Sequence, residues 1–170
     1  MAAPKLATLQ PTPFQLSLRI KHPSMDPADI SKGLGIEPEH SFRAGQRRHS
    51  MSGLVPAAVH TESYWLAPLD PASWLGNPSF AEPLKRLAIT QRHIDAAIAH
   101  NLTGALSLCV ARLSKLHGAP LHKIRSDGGE ISLLVTLSPT AVSTFTLTPE
   151  VSRMFGEMGV ALEFEIALAI

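Results

Sequence analysis

Between Phe14 and His22 the chain alternates without a break, with Phe14, Leu16, Leu18 and Ile20 on one side and Gln15, Ser17, Arg19 and Lys21 on the other. That period of two is a strand's, because successive Cβ atoms of a strand point to opposite faces. One side is apolar and the other polar, so the sheet that holds this strand is covered on one face only. Such sheets are mainly antiparallel, and the helices of the chain must then share the covered face.

The residues that follow carry helix signals in order. In Met25-Asp-Pro-Ala-Asp-Ile-Ser-Lys-Gly-Leu-Gly35, Asp26 is placed to cap, Pro27 to take the first helical position and Gly35 to stop the helix. Ile30 and Leu34 fall four apart on one face. From Glu37 to His60 regularity fades, with a short strand expected near Ser41–Arg43 and then a long loop. Glu62–Ala67 reads as a strand with Trp65 turned inward.

Phe80 to Asn101 follows the i, i+3, i+4 rule of a long helix. Ala105–Leu113 alternates again and reads as a strand, followed by a loop rich in Gly, Pro and His. Ser126-Asp-Gly-Gly129 is a turn and Ile131–Leu137 a strand. Thr148–Met158 is a helix capped by Thr148, with Pro149 first and Val151, Met154, Phe155 and Met158 inward. Val160–Leu168 closes the chain as a strand. The buried sheet face then comprises Phe14, Leu16, Leu18, Ile20, Leu106, Leu108, Val110, Leu133, Val135, Leu162, Phe164 and Ile166.

This order predicts an α+β fold, a mainly antiparallel sheet with its helices on one face, in the form of two ferredoxin-like halves. Residues 1–13, with Pro4, Pro11 and Pro13, read as a flexible lead-in, and 14–170 as one domain. A chain of 170 residues, 45% hydrophobic and 17% charged, has enough core to fold without disulfide or metal. The net charge of +1 provides no overall field to recruit nucleic acid or an anionic membrane. Its one cysteine, Cys109, fits a reducing compartment, and neither a signal peptide nor a bilayer-spanning apolar run is visible. The expectation is a cytoplasmic protein.

Several of these segments together resemble a known family, the bacterial domain of unknown function 4279. The resemblance rests on Met25-Asp-Pro-Ala-Asp-Ile-Ser31, Leu34-Gly-Ile-Glu-Pro38 and Phe42-Arg-Ala-Gly-Gln46, then Tyr64-Trp-Leu66, Thr148-Pro-Glu150 and Leu162-Glu-Phe-Glu-Ile166. It spans the chain from Phe14 onward. Gln46 departs from the acid more usual at its place. The resemblance implies no chemistry, but it suggests a small immunity-like partner binder.

Among candidate sites the basic step Arg43-Ala-Gly-Gln-Arg-Arg-His49 stands first, because several guanidinium groups on one loop can grip carboxylates or phosphates by bidentate bonds. The plainer alternative ties Arg43 to a nearby acid such as Glu37 or Glu39. Trp65 reads as core and Trp74 as the better surface anchor. The candidate binding residues are therefore Arg43, Arg47, Arg48, His49 and Trp74.

His93, His100, His117 and His122 lack metal-ligand spacing, so neither metal nor cofactor is expected. Cys109 reads as a packed thiol, and no serine sits in a nucleophile elbow. Glu163 and Glu165 share a strand face that can meet a basic partner or stand in water. The leading reading is a non-enzymatic binding protein that occupies a protein partner, with a homodimer left open and nucleic acid and membrane not expected. The rival is a small-molecule or phosphoester-binding protein or enzyme with an arginine/histidine cleft.

Overall fold

The computed structural model describes residues 14–47, 59–70, 102–137 and 146–166. Its elements are β1 (Phe14–His22), α1 (Pro27–Leu34), β2 (His40–Phe42), β3 (Ser63–Leu69), α2 (Leu102–Ser126), β4 (Glu130–Leu137), α3 (Pro149–Met158) and β5 (Ala161–Ile166). The expected lead-in at residues 1–13 and the expected helix at 80–101 lie outside the described residues.

The strands form one mixed sheet in the order β2-β3-β1-β4-β5, antiparallel except for the parallel pair β4 and β5. The class is α+β. Among the described residues the elements from β1 to β4 run strand, helix, two strands, helix, strand, with β1 between β3 and β4. That is the arrangement of a single split βαβ, or ferredoxin-like, unit. To it α3 and β5 add a parallel edge strand, and this topology establishes no second half.

Register explains the core. Leu18 stands between Ala67 and Leu133, Ile20 between Trp65 and Ile131, and Leu16 between Leu69 and Val135. These apolar rows are buried with Ile30, Leu34, Leu106, Leu113, Val151 and Phe155 from α1, α2 and α3. Trp65 is inside, as expected, and donates its indole N–H to Ser31 Oγ at 3.0 Å, which meets the need of a buried indole for an acceptor. Helix ends follow the sequence signals. Asp26 Oδ1 accepts from Ala28 N at 3.0 Å, Thr148 Oγ1 accepts from Val151 N at 3.3 Å, and Gly35 and Gly159 close their helices at φ 63° and 60°.

One expected strand is a helix. Ala105–Leu113, read as alternating, lies in α2, as does the loop expected after it. The reason is burial on all sides: Leu102, Ala105 to Ala111 and Leu113 are all buried, so no polar face marks a helical period. Ser107, the one hydroxyl among them, bonds back to the Thr103 carbonyl at 2.9 Å and so hides its polarity. Pro120 sits inside the helix and forfeits a bond to the Leu116 carbonyl. Leu116 is on the exposed side, where water can take the place of the missing N–H.

A second correction concerns β5. Leu162, Phe164 and Ile166 do face the helix side, opposite Leu133, Val135 and Leu137. Phe164 and Ile166 are nevertheless 40% and 66% exposed. Parity alone does not bury a residue on an edge strand, where a neighbour is missing on one side. No described helix is long and apolar enough to cross a membrane.

Candidate functional site

The region around Arg43 is built on the pairing of β2 with β3. His40 lies opposite Leu66 and Phe42 opposite Tyr64, and beyond them Arg47 bridges to Val59 in the same register. Between these points both chains make an excursion held by specific bonds. Gln46 N donates to the Arg43 carbonyl at 3.1 Å, and Gln46 Oε1 accepts from Arg43 N at 3.0 Å. Ala44 N donates to the buried Ser63 Oγ at 3.0 Å. Gly45, at φ 81°, donates to the His60 carbonyl, and His60 N returns a bond to the Gln46 carbonyl. Only glycine adopts that φ without strain. The result is a two-stranded arm extending from the sheet's edge.

Gln46 thus has a definite local role, in which its side-chain oxygen receives a backbone N–H. A carboxylate oxygen accepts the same bond, so the amide at this position leaves the turn intact.

Arg43 points its Nη1 at Asp26 Oδ2, 3.1 Å away, so the acid that holds it is the cap of α1 and not Glu37 or Glu39. Both groups are substantially solvated, with side-chain exposures of 64% and 35%, and a pair of this kind contributes at most about 1 kcal/mol. Arg47 is exposed, and Val59 opposite it is 50% exposed. Arg48, His49 and Trp74 lie outside the described residues, as do His93 and His100.

On the sheet face turned away from the helices, three rings form a continuous stack. His60 lies over Phe42 with centroids 3.6 Å apart, and Phe42 lies against Tyr64 at 5.0 Å. Next to them Lys21 Nζ reaches Glu62 at 3.7 Å. Farther across, Arg19 holds both Ser132 and Glu163, joining three strands in one polar link. Desolvation alone would raise the Glu163 pKa. The bonds from Arg19 and Ser132, with the charges of Arg19 and Lys21, outweigh it and hold the carboxyl below its usual range. Burial raises the Tyr64 pKa, and Glu165 and Glu163 add to that rise while Arg19 opposes it.

A groove of about 770 Å³ lies between α1 and the start of the arm, lined from the segments Met25–Ser31, Leu34–Pro38 and Phe42–Gln46 and not from Tyr64–Leu66, Thr148–Glu150 or Leu162–Ile166. Asp26, Ser31, Lys32, Glu37, Phe42 and Arg43 are among its lining, and no histidine is. Its cations and acids are interleaved, so it presents no concentrated field of either sign.

The remaining sequence candidates separate cleanly. Cys109 is fully enclosed, and burial pushes its thiol far above the ordinary range while the Arg112 charge offsets only part of that, so it is no thiolate nucleophile. His117 is buried on α2, where burial, and then the Arg112 charge, lower its pKa. His122 is exposed on the same helix. Among the described residues no three His, Cys, Asp or Glu side chains gather as a metal-holding group.

Sequence reasoning missed the aromatic stack and the Arg19–Ser132–Glu163 link. Both depend on strand register: Arg19 lies directly opposite Ser132, and Phe42 directly opposite Tyr64. Comparison of the chain with models of known protein families, with curated proteins and with solved structures gave no match.

Proposed function

We propose that this chain is a non-enzymatic binding protein of the cytoplasm that occupies a protein partner, in the manner of immunity or accessory proteins, and that the β2–β3 arm is its contact surface. The observation that carries the reading is the exposed pair Arg47 and Val59, set opposite each other on an arm whose backbone is tied at Arg43, Ala44, Gly45 and His60. A permanent cation beside an exposed aliphatic side chain, on a braced support, suits recognition better than it suits folding. The stacked His60, Phe42 and Tyr64 stiffen the base of the arm. Membership of the family of domains of unknown function 4279 belongs to the same proposal and rests on the sequence resemblance alone.

The rival reading has one observation in its favour, the groove itself, whose volume falls within the range of small-molecule sites. An anion bound there would have to compete with Asp26 for Arg43 and would meet Glu37.

The test is capture from cells that make the protein naturally, with the wild type and with Arg47→Ala/Val59→Asp as baits of equal melting temperature. The reading predicts a partner held by the wild type and lost by the variant. A partner retained equally by both baits counts against the arm. A phosphate or nucleotide that raises the melting temperature, with Arg43→Ala abolishing the rise, decides for the groove.

A further inference from the structure

Lys32 stands in the last turn of α1, where a cation suits the helix C-terminus, and Gly35 at φ 63° then turns the chain toward Glu37, Pro38 and β2. Lys32 and Glu37 both line the groove of about 770 Å³, and both are exposed. Their surroundings differ from those of the other two charges there. Arg43 and Asp26 hold each other, whereas among the described residues no ion pair or hydrogen bond reaches the side chain of Lys32 or of Glu37.

One unmatched charge of each sign on a single groove selects what can settle in it. A phosphate or a simple carboxylate gains Lys32 but meets Glu37 and Asp26, and a cation gains the acids but meets Lys32 and Arg43. A small molecule that carries an ammonium and a carboxylate satisfies both free groups and leaves the Asp26–Arg43 pair intact. The neutral lining narrows the class further. Gln46 Oε1 already accepts from Arg43 N, so the Gln46 amide N–H groups remain as donors, and Ser41 adds an exposed hydroxyl. Such donors suit the carbonyls of a peptide. Phe42, held in its stack by His60 and Tyr64, supplies an apolar wall, and the volume lies in the range of small-molecule sites.

We propose that this groove binds a short peptide with free ends, its terminal carboxylate at Lys32 and its terminal ammonium at Glu37. A free amino acid offers the same two charges but no amide carbonyl for Ser41 and Gln46. Neither Arg47 nor Val59 lines the groove, so the site stands whether or not the arm holds a protein partner.

The probe is trialanine, titrated into the isotope-labelled full chain at low salt and about pH 6.5, where the terminal amine is charged. Beside it are N-acetyl-trialanine, trialanine amide, alanine and inorganic phosphate. Trialanine is expected to move the amides of residues 32–37 and 41–46 with a Kd on the order of 1 mM. Blocking either end is expected to weaken binding about fivefold, as the loss of one solvated ion pair does. Two variants separate the ends. Lys32→Gln should make the peptide amide bind as well as the free acid while acetylation still weakens binding, and Glu37→Gln should do the converse. Both positions are exposed, and unchanged melting temperatures check the fold. Alanine binding as tightly as trialanine would overturn the assignment to a peptide. No movement of these amides by about 10 mM trialanine overturns the proposal outright. Equal binding of blocked and free peptides also overturns it, as does phosphate bound at the groove more tightly than trialanine.

Discussion

Leu18 is fully buried and touches both neighbouring strands through Ala67 and Leu133, whereas Gln15 stands in water on the other face. Leu18→Ala should therefore cost about 2–5 kcal/mol through lost burial and a residual cavity, and Gln15→Ala almost nothing. Denaturant midpoints of the two variants measure this, and equal midpoints contradict a one-sided sheet. Gly129 is a less obvious critical residue. A Cβ there would come 2.7 Å from the Ile124 carbonyl oxygen and 2.9 Å from His22 Cδ2, and His22 is itself tied down by bonds from Ser24 N and Met25 N. Gly129→Ala should destabilise by about 1–3 kcal/mol, because neither backbone nor anchored ring can give way cheaply. His117 governs a pH effect. Its folded pKa lies below the ordinary 6.5, so as pH falls through that value the unfolded chain binds a proton that the folded chain refuses. Stability should decline from neutral pH toward about pH 5, and His117→Gln should flatten the decline in urea titrations at the two pH values.

At the scale of elements, what could be read in advance depended on whether an element has two unlike faces. β1 was legible to the residue because Gln15, Ser17, Arg19 and Lys21 face away from the core, and α1 and α3 because their caps are side chains with short-range partners. α2 was not, since Ala105–Ala111 is buried on every side and its row of small residues between leucines satisfies either period. Farther along, Leu106, Val110, Leu113, His117, Leu121 and Ile124 do keep helical spacing, but His117 and Pro120 disguise the stripe as a loop. The candidate site was half legible. Arg43 and Arg47 stand out in the sequence as cations of one segment, but Asp26 as the partner of Arg43 and Val59 as the neighbour of Arg47 are set by tertiary pairing. Because the Asp26–Arg43 pair is solvated, a double-mutant cycle on it should yield about 1 kcal/mol or less. The turn at Gln46 offers a sharper test. Gln46→Glu should leave the melting temperature within about 2 °C of the wild type, whereas Gln46→Leu should lower it by more, having removed the acceptor for Arg43 N.

Viewed whole, the two faces of the sheet differ in what they carry. The helices bury one face. The other carries the stacked rings, the Arg19–Ser132–Glu163 link and the base of the arm. The Glu163 carboxyl ionises below its ordinary 4.5 in the folded chain, so that link is fully in force above this pH and is lost as pH falls through the lowered folded value. The central proposal is that the arm recognises rather than braces. The most direct measurement is a calorimetric titration of the purified captured partner against the wild type and Arg47→Ala/Arg48→Ala, at low and high salt, beside the melting temperatures of both chains. Recognition by the arm predicts a clear loss of affinity, a shallower salt dependence and a melting temperature that moves by less than about 2 °C. A marked fall in melting temperature with affinity unchanged would contradict it.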